Sequence, residues 1–207
     1  TPPTPPTPEK PDPVTPVGPS PAQPSQPQEP ASPPETPALP FGDVAETAWY
    51  AEAVTLAYEK GLMSGVSSDT FAPDRDTTRG MIVTILARMD GVDTSGGQTW
   101  FETGRAWAIE NGISDGTDMP GNITREQLAL MLFRYAAHKG WAASARAALD
   151  AYADGSSISV WAADAMSWAV AAGLIQGRGG NMLAPQGKAS RAETAAILTR
   201  FLQAFSL

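Results

Sequence analysis

Three arginines stand at matched places in this 207-residue chain, each directly after a hydroxyl residue: Thr78-Arg79, Thr124-Arg125 and Ser190-Arg191. Ser190 with Glu193, and Thr124 with Gln127, make the reciprocal pair that closes a helix N-terminus; after Thr78 the third position holds Met81, so that closure is half made. The caps put Arg79, Arg125 and Arg191 at the first position of a helix. A cation there opposes the helix dipole at a cost of roughly 0.3–1 kcal/mol. Repeating that cost three times implies a use for the charge. Free N–H groups at a helix start, beside a guanidinium that can bind bidentately, make a receptor for a carboxylate or phosphate. The competing reading is that each arginine pairs with a nearby acid such as Asp74, Asp76 or Glu126.

A sugar carrying such an anion would also want an aromatic platform and a hydroxyl acceptor. Trp49, Trp100 and Trp161 qualify for stacking, although tryptophan beside an amphipathic helix also serves as core. Asp43 and Asp154, six and seven residues ahead of their tryptophans, qualify as acceptors or, equally, as caps of the adjoining helices or turns.

These residues belong to a unit that occurs three times. Each tryptophan is followed after twelve residues by a glycine (Gly61, Gly112, Gly173) and four further on by another (Gly65, Gly116, Gly177). Nine residues past each signature arginine stands a second one: Arg88, Arg134 and Arg200. Matched spacings in three copies define an internal repeat. Each copy reads as helix, turn, loop, helix. In the first helix Trp49, Ala53, Val54, Ala57 and Tyr58 share a face, as do Trp161, Ala165, Trp168, Ala169 and Ala172. Gly61-Leu62, Gly112-Ile113 and Gly173-Leu174 suit a glycine C-cap with an apolar contact behind it. The second helices carry apolar stripes, Ile82-Ile85-Leu86-Met89, Leu128-Met131-Leu132-Tyr135 and Thr194-Ile197-Leu198-Phe201, which are expected to be core. Phe71-Ala-Pro73 and Leu183-Ala-Pro185 match in the loops, whereas copy two is shorter there and reads Met119-Pro-Gly-Asn122. The alanine-rich stretch from about Trp141 to Ala151 predicts an extra helix linking copies two and three. One such helix pair cannot bury its apolar face alone, but three packed together can.

The first forty residues are different in kind. They hold 17 of the 20 prolines and almost no large apolar side chains, so they lack both the backbone donors and the apolar surface to fold. Thr1 to about Pro40 reads as a disordered, extended tether with a reach of at most ~120 Å. Glu9, Asp12, Glu29 and Glu35 against Lys10 give it −3 of the chain's −8. The remaining acidic balance argues against a nucleic-acid partner, which needs a basic face. No apolar run is long enough to insert in a membrane, and the absence of cysteine excludes disulfides and thiolate metal sites. A chain opening Thr-Pro-Pro without a signal peptide is expected to be part of a larger secreted protein, fused to an unknown domain upstream.

Phe41-Gly-Asp-Val44, Trp49-Tyr-Ala51, Gly61-Leu-Met-Ser-Gly65, Phe71-Ala-Pro73 and Thr77-Thr-Arg79 together resemble one S-layer homology repeat. Ile123-Thr-Arg-Glu-Gln127 and Ala189-Ser-Arg-Ala-Glu193 are similar to the family's Thr-Arg-Ala-Glu signature in the other two. The resemblance covers about residues 41–205. It implies an all-α domain in which the repeats form a pseudo-threefold bundle, a three-pronged spindle: residues 41–90, 91–140, and 141–207 with the connecting helix. It also implies non-covalent binding of a secondary cell-wall polysaccharide, often bearing ketal-linked pyruvate, at the bacterial cell wall. The family's grooves would draw on Arg79, Arg125 and Arg191, the tryptophans Trp49, Trp100 and Trp161, Asp43 and Asp154, Gly65, Gly116 and Gly177, and the capping Thr78, Thr124 and Ser190. Copy two departs most, with its shortened loop and only Asp93 at a plausible spacing. The grooves around Arg79 and Arg191 are therefore favoured over one around Arg125.

Two other functions compete. The repeats could be a structural assembly module that makes protein–protein contacts in a surface layer without binding glycan. An enzyme acting on wall glycans would need two carboxylates facing across a cleft, and no such pair stands out. His138, the lone histidine, reads as a C-terminal helix residue favoured by the dipole. No phosphate loop, metal cluster or nucleophile motif occurs, so neither catalysis nor a cofactor is expected.

Overall fold

Six α-helices carry the three copies: α1 Ala51–Glu59, α2 Arg79–Met89, α3 Glu102–Glu110, α4 Arg125–His138, α5 Ala163–Ala171 and α6 Arg191–Ala204. The structure, a computed structural model, describes residues 39–141 and 143–206. The tether predicted over residues 1–40 lies, but for its last two residues, outside them.

The helix ends follow the local chemistry. Thr78, Thr124 and Ser190 each accept a hydrogen bond from the backbone N–H three residues on, and the reciprocal bond is present only for Gln127 and Glu193. Met81 cannot return it. The first helices end as expected: Gly61 adopts φ +66°, a left-handed conformation cheap only for glycine, while Leu62 N–H reaches back to the Ala57 carbonyl at 2.9 Å and its side chain is buried.

The pairing of helices is not what a helix-loop-helix unit suggests. Within the unit Leu39–Leu207, α2 packs on α3, α4 on α5 and α6 on α1. The second helix of each copy thus covers the first helix of the next, and the third copy closes the ring on the first. Ile82, Leu86, Leu128, Leu132, Leu198 and Phe201 are all completely buried by this arrangement. Every apolar stripe is covered by a neighbouring copy, so no copy has a complete core alone.

At the centre, the segments that enter α2, α4 and α6 form a closed hydrogen-bonded ring. Thr77 N–H donates to the Ala189 carbonyl at 2.9 Å, Ala189 N–H to Ile123 at 3.1 Å, and Ile123 N–H to Thr77 at 2.9 Å. All three residues are fully buried. Paired main-chain groups let polar backbone pass through the core without a desolvation penalty.

The alanine-rich link is not helical. Residues 141 and 143–148 run as irregular backbone, with Ala147 exchanging hydrogen bonds with Ser167 on α5 (3.1 Å from Ala147 N–H to the Ser167 carbonyl, 2.7 Å back from the Ser167 hydroxyl). Alanine favours helix, but a stretch this short does not nucleate without an apolar face to dock. The anchor is Trp141, stacked on Phe205 with ring centroids 4.8 Å apart.

Candidate functional site: three grooves between repeats

The fold creates three equivalent grooves. The first, about 480 Å³, is lined by the 62–66 loop, the Met81–Arg88 face of α2, Arg75, Trp100 and Arg191. The second, about 310 Å³, is lined by Ile113-Ser114-Asp115, the Gln127–Arg134 face of α4, Trp161 and Arg79. The third, about 270 Å³, is lined by Gln176-Gly177-Arg178, the Glu193–Arg200 face of α6, Trp49 and Arg125. Each groove takes its loop and second helix from one copy, its tryptophan from the next, and its signature arginine from the one before. All three copies contribute to every groove.

Trp49 and Trp100 stand two residues ahead of α1 and α3, and Trp161 sits in the 3-10 turn Val160–Ala162 that leads into α5. Trp49, Trp100 and Trp161 are 67%, 54% and 53% exposed, so they are not core. Trp49 and Trp100 are held edge-on against Tyr50 and Phe101.

The expected free helix N-termini are absent. Arg191 and Ala192 donate their backbone N–H groups to the Arg75 and Pro73 carbonyls at 2.8 and 2.9 Å. Arg125 and Glu126 donate to Gly187 and Pro185, and Arg79 and Gly80 to Gly121 and Met119. The third N–H goes to the capping hydroxyl. A neighbouring copy's loop, not a ligand, satisfies these donors. The physical reason is burial: the helix starts sit beside the central ring, where an open N–H would be costly.

The arginines themselves make a clasp. Arg191 donates from Nε to the Phe71 carbonyl at 2.8 Å and from Nη2 to the Ser64 carbonyl at 2.6 Å, while its guanidinium lies 4.4 Å from the Phe71 ring centre. Arg125 repeats this on Leu183 and Gln176, at 2.8 and 2.6 Å. Arg79 donates from Nε to the Thr117 carbonyl at 3.0 Å, but its Nη2 meets the Asp115 carboxylate at 2.7 Å. None of the three pairs with Asp74, Asp76 or Glu126; Glu126 instead accepts from Ser159 and Gln186. Arg125 and Arg191 are 3% and 4% exposed. Burial pushes both guanidinium groups below their ordinary pKa, with Arg75 adding to the effect on Arg191. Nη1 of Arg191 faces Met81 Sδ at 3.9 Å and Nη1 of Arg125 faces Glu193 at 3.5 Å, each partner lining the same groove as its arginine.

The aspartates work behind the grooves. Asp43 accepts from Phe71 and Ala72 N–H at 2.8 and 2.7 Å, and Asp154 from Leu183 and Ala184 N–H at 2.8 and 2.7 Å. They pin the turns that present the carbonyls to Arg191 and Arg125. Asp93 bonds only Ser95 N–H within its own loop. Gly65 and Gly177 line their grooves, whereas Gly116 does not and offers its carbonyl to Arg105. A Cβ on Gly65 would come within 2.3 Å of the Ser67 carbonyl oxygen, so the turn has no room for one. Thr78, Thr124 and Ser190 cap helices and line no groove.

Sequence reading assigned no role to Arg88, Arg134 and Arg200, yet each lines a groove on the second helix of its copy. Their nine-residue spacing from the signature arginines was the available signal. Arg134 and Arg200 donate to the Ile113 and Leu174 carbonyls at 3.4 and 3.1 Å, and Arg88 to the Thr94 hydroxyl at 2.9 Å. His138 ends α4 as expected and lies 3.7 Å from Asp90.

Comparison with known proteins gives this arrangement its family. The S-layer homology domain model matches residues 40–80 and 151–195, which fall in copies one and three. The chain is 30% identical over 177 residues to an endoglucanase of Bacillus sp. (strain KSM-635), covering 80% of this chain and 19% of that protein. It is 24% identical over 180 residues to exoglucanase XynX of Acetivibrio thermocellus, covering 80% and 16%. With the surface-layer 125 kDa protein of Lysinibacillus sphaericus it shares 30% identity over 112 residues, 45% of this chain and 10% of that one. The chain spans less than a fifth of the length of these relatives. It belongs to the S-layer homology family, whose repeats are cell-surface anchoring modules, and this places it at the cell wall and surface layer. Among the described residues no helix is long and apolar enough to cross a membrane.

Proposed function

We propose that the domain holds its parent protein on a cell-wall polysaccharide by gripping a carboxylated sugar, such as one bearing ketal-linked pyruvate, in the grooves between repeats. The observation that carries this is the convergence in each groove of at least two arginines and a half-exposed tryptophan, drawn from three different copies. The clasp is what suits the signature arginine to the task. With Nε and Nη2 fixed on the loop, Nη1 is held in place before a ligand arrives, and little entropy is lost on binding. The second-helix arginine supplies further charge, and the indole offers an apolar face to the sugar ring. This chemistry requires no reaction. In the two relatives with enzyme names the matched region is under a fifth of the length, which leaves catalysis there to the rest of the protein. The residues before the domain serve as its tether, and the divisions near 90 and 140 separate copies that are functionally interdependent.

Sedimentation with purified, protein-free cell walls tests the reading. The domain should be retained, and removing pyruvate from the wall glycan should release it. Retention that survives this treatment overturns the carboxylate reading. Absence of retention favours a protein–protein assembly role.

A further inference from the structure

The three grooves share a plan but not a charge. Arg75, Arg88 and Arg191 line the first groove, and no carboxylate lines it. Among the described residues none of these three guanidinium groups forms an ion pair. Arg75 and Arg88 are exposed, and the Arg75 side chain donates no hydrogen bond to any of the described residues. Asp74 and Asp76 flank Arg75 in sequence but line no groove, and Asp76 is engaged by Asn122 at 2.7 Å.

The other two grooves carry their own anions. In the second, Asp115 occupies Nη2 of Arg79 at 2.7 Å. In the third, Glu193 takes Nε of Arg178 at 2.6 Å, also bonds its Nη2, and stands 3.5 Å from Nη1 of Arg125. The difference traces to single positions. Glu193, Gln127 and Met81 are equivalent, third in their helices. Ser64, Asp115 and Gln176 are equivalent too, each three residues after its glycine.

Resting on the reading that these grooves grip a carboxylated sugar, we infer that the chain has one anion-binding groove, the first, and is a monovalent anchor. Met81 and Ser64 are its specificity-determining positions, because neither supplies an acid. An incoming carboxylate meets unpaired guanidinium groups there. In the second and third grooves it must displace an internal carboxylate that is already bound and correctly placed. The half-made cap of α2 is the structural counterpart: losing the acid at position 81 weakens the helix start and leaves the groove cationic.

Calorimetric titration of the 207-residue chain with a pyruvylated disaccharide tests this. One molecule should bind per chain. The double variant Arg75→Gln, Arg88→Gln should lose at least ~10-fold in affinity, since each charge-assisted contact is worth on the order of 1.5–3 kcal/mol. Both side chains are exposed, and an unchanged Tm will show that the fold is intact. Met81→Glu should lower affinity severalfold while raising Tm, because it completes the capping box. No purely structural role moves those two readouts in opposite directions. Two or three sites per chain, a single site indifferent to the double variant, or full affinity in Met81→Glu would overturn the one-groove inference and leave the anchoring reading intact. No binding in the titration, together with no retention on walls, would overturn the anchoring reading itself.

Discussion

The loops of copies one and two solve the same problem with different atoms. Both must carry the chain from a first helix to the capped start of a second, and both must satisfy a signature arginine from the preceding copy. Arg79 follows Gly61 by 18 positions, and Arg125 follows Gly112 by only 13. The long loop makes a wide turn, pinned by Asp43, that offers Arg191 two backbone carbonyls. The short loop has no counterpart of Asp43 and offers Arg79 one carbonyl and the Asp115 side chain. The five missing residues lie ahead of the tight turn, because from that turn onward the copies coincide: Ala72, Asp118 and Ala184 all have positive φ and all stand seven residues before an arginine. Met119 therefore replaces Pro73, not the neighbouring Pro120. Shortening a loop has turned a backbone clasp into a side-chain ion pair.

Removing the arginine breaks this comparison most sharply. Arg191→Ala leaves two carbonyls at the groove wall without their donor and strips the stacked partner from Phe71. A buried acceptor left open costs about 1–3 kcal/mol, so the loss should be about 3–5 kcal/mol in urea unfolding. Arg79→Ala should cost about 1 kcal/mol, because its partner Asp115 is 65% exposed and returns to solvent. Equal losses would show that the two clasps are the same device.

Acid should separate the loops next. The Asp115 carboxyl is held below its ordinary value of 3.8 chiefly by the Thr117 backbone N–H, and also by the Thr117 hydroxyl and Arg79, despite some desolvation. A depressed carboxylate contributes stability that is complete above 3.8 and is lost as pH falls through the folded value. The short loop should therefore loosen below that pH, seen as faster amide exchange at Thr117. Nε and Nη2 of Arg191 meet only the Phe71 and Ser64 carbonyls, so its own clasp has no titrating partner of that kind. Asp115→Asn should remove the acid dependence and cost about 0.5–1 kcal/mol at neutral pH.

What could be read in advance follows the range of each interaction. Capping pairs three residues apart, glycine caps and apolar stripes are local, so Thr124 with Gln127 and Gly61 with Leu62 were legible as they stand. Contacts between copies were not. Nothing near Asp43 in sequence indicates that its partners are Phe71 and Ala72, 28 and 29 residues on. Nor does the helix start at Arg191 reveal that its N–H groups are taken by Pro73 and Arg75 at the far end of the chain. The placement of charge at three helix N-termini was legible, but that each side chain clasps a loop of a neighbouring copy was not. The tryptophans were ambiguous because helical spacing extends to Trp49 even though the helix begins two residues later, at Ala51.

The smallest effect lies at the turn itself. Ala72 sits at φ +58°, where a Cβ costs about 1–2 kcal/mol, and Asp43 holds it there by its N–H. Ala72→Gly removes that strain but adds unfolded-state freedom worth about 0.5–1 kcal/mol, leaving a net gain of about 0.5 kcal/mol. At the equivalent place Asp118, with φ +47°, is a residue type that tolerates the left-handed region better, so Asp118→Gly should gain nothing measurable. A gain at both positions, read as paired shifts in urea midpoint, would mean that strain in the turn is set by the shared closure onto the next copy. A gain at Ala72 alone would assign it to the long loop and its aspartate.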